Sequence, residues 1–218
     1  MTPSPIHCIS LMGRLAYILM CVEAYLVHVY PDRDWRLLAR AMWLSGTLDV
    51  SDWMYVYGYL TPECVLHDGE YTQDIQEFFT LEEYNQIVQL YQGISRGNRS
   101  DPDDELCKVL SIPDDLSYRY DSILSDGDPE HLRWAFRESV DKVHEIEKIL
   151  AGHHIALPDI HRLDFLAIKN EELARHFSEE PAEPSKFQRI TCLSFKDMHD
   201  IWGPAFDGES LSIILHRE

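Results

Sequence analysis

Leu11-Met12-Gly13-Arg14-Leu15-Ala16-Tyr17-Ile18-Leu19-Met20-Cys21-Val22-Glu23-Ala24-Tyr25-Leu26-Val27-His28-Val29 is the stretch on which the fold turns. Within it Leu15, Ile18, Leu19, Val22, Leu26 and Val29 recur at steps of three and four, the spacing of one helix face. Tyr17, Met20 and Tyr25 widen that stripe until little of the circumference is polar. A helix that is apolar nearly all round has to be enclosed by other elements, so this one predicts the centre of a helical protein. Arg14, Glu23 and His28 interrupt the run, which leaves no uncharged stretch of bilayer length. Met1 to Ser10 carries no Lys or Arg to act as the charged start of a secretory signal. These features predict a cytoplasmic chain with no membrane partner.

Downstream, helix signals follow one another. Tyr30-Pro31-Asp32 ends the first helix, because the residue before a proline is pushed out of the α region. Asp34 then caps a helix through Trp35, Leu38, Met42 and Trp43, which Gly46 closes. Ser51 or Asp52 starts a short helix through Trp53, Val56 and Leu60, and Thr61-Pro62-Glu63 opens another turn with proline at its first position. Thr80-Leu81-Glu82-Glu83 is a capping box ahead of Tyr84, Ile87, Val88 and Tyr91. Asp101-Pro102 and Asp128-Pro129 repeat the cap-then-proline signal. The first precedes a helix through Leu106, Val109 and Leu110, and the second a long amphipathic helix through Phe136, Val140, Val143, Ile146 and Leu150. Gly152 is its expected left-handed stop.

Beyond Gly152 the texture changes. Phe187 to Phe195 and Leu211 to Leu215 are rich in β-branched and apolar residues, with Asp197 to Trp202 as a short helix between them. The expected fold class is therefore mainly α: a helical bundle over residues 1–152, with residues 153–218 adding a small C-terminal β-α-β element, a two-stranded unit packed on the helical body.

Charge limits the partners. The chain has 19 basic and 38 acidic residues, a net charge of -19, which disfavours any sequence-independent grip on a phosphate backbone. Nucleic acid is not an expected partner. Residues 61–130 hold 17 acids and four bases, so 13 of the 19 excess negative charges lie in that third of the chain. Asp101, Asp103, Asp104, Glu105, Asp114 and Asp115 form its dense part. Opposite in character, Tyr55 and Tyr59 fall on the outer side of the helix whose inner face is Trp53, Val56, Tyr57 and Leu60, where aromatics make good interface anchors.

Enzyme signatures are sparse. There is no G-x-S-x-G elbow and no phosphate-binding glycine loop. Asp103-Asp104-Glu105 imitates an acidic magnesium motif, but consecutive carboxylates on a helix point in different directions and suit a solvated first turn. His153, His154, His161 and Asp164 have residue types that suit zinc or iron, without an H-E-x-x-H frame. They are the basis of an alternative, metal-dependent reading. The five cysteines are widely spaced with no C-x-x-C pair, which predicts reduced thiols. No cofactor is expected.

Gly13-Arg14-Leu15-Ala16-Tyr17, Tyr30-Pro31-Asp32 with Asp34-Trp35, then Trp43, Asp52-Trp53 and Pro62-Glu63 together resemble the helical immunity proteins of bacterial polymorphic-toxin systems. The resemblance covers about the first 150 residues and does not extend to the tail. It implies a small acidic cytoplasmic protein that is not an enzyme and neutralises a cognate toxin by binding it. It transfers no catalytic residues. The charge agrees: an acidic protein meets a basic toxin quickly and can cover its cleft. The expected function is therefore stoichiometric binding of a cognate, basic toxin through Asp101, Asp103, Asp104, Glu105, Asp114, Asp115, Tyr55 and Tyr59. A metal-dependent enzyme and a cytoplasmic regulatory interaction protein are the alternatives.

Overall fold

A computed structural model describes residues 5–67, 69–126, 129–169 and 202–217. Among them are eight α-helices: α1 (Leu11–Val29), α2 (Arg36–Trp43), α3 (Val50–Gly58), α4 (Pro62–His67), α5 (Gln73–Gln76), α6 (Leu81–Tyr91), α7 (Glu105–Asp126) and α8 (Pro129–Gly152). Ser10 caps α1, its hydroxyl accepting the Gly13 amide at 3.1 Å. Residues Leu11 to Glu23, Tyr25 and Leu26 are all buried, so α1 is the axis around which the other helices assemble, α8 and α7 foremost. It is the one helix among the described residues long and apolar enough to cross a membrane, with a mean hydropathy of 1.3, and the protein itself encloses 78% of that span.

Both charges inside α1 are fully buried, and both tie it to distant parts of the chain. The Arg14 guanidinium donates to the Ile6 carbonyl at 3.1 Å, to the Phe136 carbonyl at 2.9 Å and to Ser139 Oγ at 2.8 Å. It also lies 4.2 Å from the centre of the Phe136 ring, a cation–π contact that suits a desolvated arginine. Glu23 accepts from Trp43 Nε1 at 2.8 Å, Ser212 Oγ at 2.5 Å and the Ile213 amide at 2.7 Å. Three donors compensate the burial of one carboxylate.

Helix starts follow local chemistry. The Thr80–Glu83 capping box opens α6, and Pro62 stands at the first position of α4. Asp49, two residues before Ser51, the earlier of the two expected starts, caps α3 by accepting the Ser51 amide. Helix α7 runs well past the Leu106–Leu110 segment, straight through Pro113. A proline there removes a backbone donor and disturbs the turn before it. In the turn before it, Tyr57 Oη of α3 donates to the Leu110 carbonyl and Ser111 Oγ to the Cys107 carbonyl, each at 2.8 Å.

The end of α8 differs from expectation. Gly152 is still helical, and the left-handed residue is His154, at φ 58°. The Ile155 amide returns to the Leu150 carbonyl at 2.9 Å and the His154 amide to Ala151 at 3.1 Å, the paired bonds of a Schellman stop.

The C-terminal β-α-β element is a correction. No strand occurs among the described residues, and the single β pairing is an isolated antiparallel bridge between Ile9 and Ala167. The Leu211–Leu215 run forms a short 3₁₀ turn at Glu209–Leu211 followed by bends. Its amides are taken by side chains: Ile213 by Glu23, and Ile214 and Leu215 by Ser212 Oγ at 3.2 and 2.9 Å. Leu211, Ser212 and Ile214 are buried and Ile213 is exposed, which is not the alternation of a strand. Residues 187–195 and 197–201, the other members of that expected element, lie outside the described residues. The tail packs on the helical body through Phe206, Leu211 and Ile214.

Candidate binding surface

The acids at the start of α7 serve the fold. Asp104, expected on a partner-facing surface, is buried. Its carboxylate accepts from Ser95 Oγ at 2.9 Å and from the amides of Arg96, Asn98 and Cys107 at 2.7, 3.1 and 3.2 Å. Burial opposes its ionisation, but the Asn98, Arg96 and Cys107 amides and the Ser95 hydroxyl outweigh it and hold the group below the usual carboxylate range. Asp101 is paired with Arg96 at 2.8 Å and accepts the Asp103 amide. Glu105 accepts from Tyr25 Oη at 3.0 Å and faces His153 Nε2 at 2.5 Å. Of this stretch Asp103 alone is exposed without an ion pair among the described residues.

Two turns along α7 the chemistry is different. Helix α3 packs beside α7, and Gly58 lies against Asp114, where an added Cβ would stand 2.7 Å from Oδ1. Asp114, Asp115, Tyr118, Arg119, Arg99 and Glu138 line a cavity of about 340 Å³ between α7 and α8. Asp115 is held by Arg99 Nη1 at 2.8 Å and Lys142 Nζ at 3.0 Å, and Arg99 Nε reaches Glu63 at 3.1 Å. Glu138 Oε2 is 3.3 Å from Arg119 Nε. Asp114 has neither a hydrogen-bond donor nor an ion pair among the described residues. Burial first, and the neighbouring Asp115 charge second, push its carboxyl up to about 6.

Tyr118 lines this cavity, and other exposed aromatics lie on the elements near it. Tyr55 and Tyr59, on the α3 turns flanking Gly58, are 50% and 38% exposed and stack on one another with ring centres 6.4 Å apart. Tyr118 is 64% exposed, and Trp134 lies beneath Arg119 at 4.3 Å and is 43% exposed. Of the residues expected to bind, the structure brings Asp114, Asp115, Tyr55 and Tyr59 to the α3–α7 region and withdraws Asp104. Tyr118, Trp134, Glu63 and Glu138 were not foreseen. Tyr118 follows Asp114 by four residues, so it joins that face once α7 is known to continue through Pro113.

The histidine group does not form a metal site. His153 contacts Glu105 and lies edge-on to Tyr25 at 5.4 Å, His154 occupies the left-handed stop, and His161 pairs with Asp164 at 3.4 Å on the exposed surface. Among the described residues no three His, Cys, Asp or Glu side chains are placed to hold one ion, so the alternative reading built on His153, His154, His161 and Asp164 loses its site. No known protein family matches the chain, and no curated protein or solved structure is similar to it.

Proposed function

We propose that this protein is a stoichiometric binder of a basic protein, acting as a toxin-neutralising immunity protein of the kind its sequence resembles. The observation that carries this reading is the exposure of four large aromatics, Tyr55, Tyr59, Tyr118 and Trp134, of which Tyr118 lines a cavity shared with Asp114, Asp115 and Glu138. Tyr and Trp bury large area with few rotatable bonds, which makes them the usual anchors of protein interfaces. Acids around such anchors set the rate of encounter with a basic surface, while the rings set how long the complex lasts. The net charge of -19 supports the same partner class.

The test is co-expression with a basic toxin encoded beside this protein's gene. The expected results are restored growth and a one-to-one complex on gel filtration. Tyr55→Ala combined with Tyr118→Ala should speed dissociation by roughly 30-fold or more, the effect of losing about 2 kcal/mol at a hot spot. Protection and dissociation that are indifferent to both tyrosines would refute the assignment of this face.

A further inference from the structure

We propose that Asp114 receives one cationic side chain, an arginine or lysine of the basic partner, inserted into the cavity between α7 and α8 beside Tyr118. The partner's identity as a toxin rests on the function proposed above; the chemistry of the socket rests on the following geometry.

Every carboxylate named around the cavity except Asp114 has a cation within ion-pair distance, and Arg99 acts on Asp114 only through its longer-range charge. Asp115 has Arg99 and Lys142, Glu63 has Arg99, Glu138 has Arg119, and Glu145 has Lys142 and Lys108. Tyr57 and Gly58 of α3, Glu63 of α4, Arg99 of the preceding loop, Asp115, Tyr118 and Arg119 of α7, and Glu138 and Lys142 of α8 are the groups around Asp114, and none of them donates to it. A largely buried carboxylate with no cation in direct contact is costly, and a fold that keeps one leaves room for a cation from outside.

Two further observations point the same way. Glu138 Oε2, on the cavity wall, is buried and meets only the Arg119 Nε ion pair at 3.3 Å, without a well-formed hydrogen bond among the described residues. The space, about 340 Å³, is large enough to take the end of an arginine or lysine side chain. A guanidinium offers several N–H donors in a rigid fork and stacks on aromatic rings, and the exposed Tyr118 ring lines the same cavity. Gly58 keeps this arrangement open, since any side chain there would displace the Asp114 carboxylate.

The experiment is a titration of the full chain with a hexa-arginine peptide at about 0.15 M salt, where long-range attraction to the acidic surface is screened. It is followed by calorimetry and by the ¹³Cγ resonance of Asp114. Asp114→Asn should weaken binding about tenfold or more, the loss of one charged hydrogen-bond partner. Asp103→Asn, which removes an equal charge from the exposed turn, should change it less than about twofold. In the parent the Asp114 titration midpoint should fall from about 6 when peptide is added. Gly58→Ala should weaken binding as Asp114→Asn does. Equal losses in the Asp114 and Asp103 variants, an unmoved Asp114 midpoint, or no binding by the parent would each overturn the socket. Peptide binding that depends on Asp114 in a protein that rescues no toxin-exposed cell would uphold the socket and refute the immunity function.

Discussion

Asp104 and Asp114 stand ten residues apart on the same stretch of chain and are shifted in opposite directions. The first is surrounded by amides that prefer it charged; the second is surrounded by burial and a like charge that prefer it neutral. For Asp114 the folded pKa is above the unfolded value of 3.8, so its contribution to stability is fully present below about pH 4 and is lost as pH rises through about 6. Asp114→Asn should therefore raise stability at pH 7, by about 1 to 3 kcal/mol, with the gain vanishing near pH 4. For Asp104 the sign is reversed: its stabilisation is present above 3.8 and fades as pH falls through its lowered value. Urea denaturation of Asp114→Asn at pH 7 and pH 4, and of Asp104→Asn at pH 7 and well below pH 3.8, checks both. None of this was legible in the run of acids itself. Whether an aspartate caps, pairs or faces a cavity is decided by residues such as Ser95, Asn98 and Gly58, brought up by tertiary contacts.

Among the elements, α1 and α6 were readable because their signals are local: an apolar helical period in one and a capping box in the other. Helix α7 was readable only to Leu110, since a proline locally predicts a break, and its continuation depends on packing against α3. The Leu211–Leu215 run misled for a related reason, its β-branched composition yielding to Ser212 and to a glutamate nearly two hundred residues away. At the end of α8, His154 holds a conformation that costs L-residues roughly 1 to 2 kcal/mol and that glycine adopts freely. His154→Gly should stabilise the protein by about 1 kcal/mol once the added freedom of the unfolded chain is subtracted. A rise in the urea midpoint without a change in slope is the expected reading; a fall would mean that the imidazole has a partner worth more than the strain.

At the level of the whole molecule, closure depends on two buried charges in one helix. Glu23 is the anchor of residues 211–215, holding the tail against α1 and Trp43 through its two oxygens. Burial raises its pKa, and the hydrogen bonds from Ser212, Trp43 and the tail amides counter that. Glu23→Ala leaves those donors buried and unmatched, so it should cost about 2 to 5 kcal/mol. In hydrogen exchange, the amides of Ile213 and Leu215 should lose protection in this variant by far more than those of α6. Uniform loss across the chain would mean that the tail unfolds only with the rest.

The order of synthesis gives Glu23 a second setting. Helix α8, which encloses much of α1, begins more than 100 residues after it. At about 5 to 20 residues per second, the ribosome leaves α1 without that cover for roughly 5 to 20 s. During that interval a nascent helix of bilayer length competes between waiting and inserting into a lipid phase. A charged side chain near the middle of an inserting helix costs roughly 2.5 to 3.5 kcal/mol. Glu23 lies three residues from the centre of α1, so the carboxylate that later anchors the tail also biases the unfinished chain toward waiting.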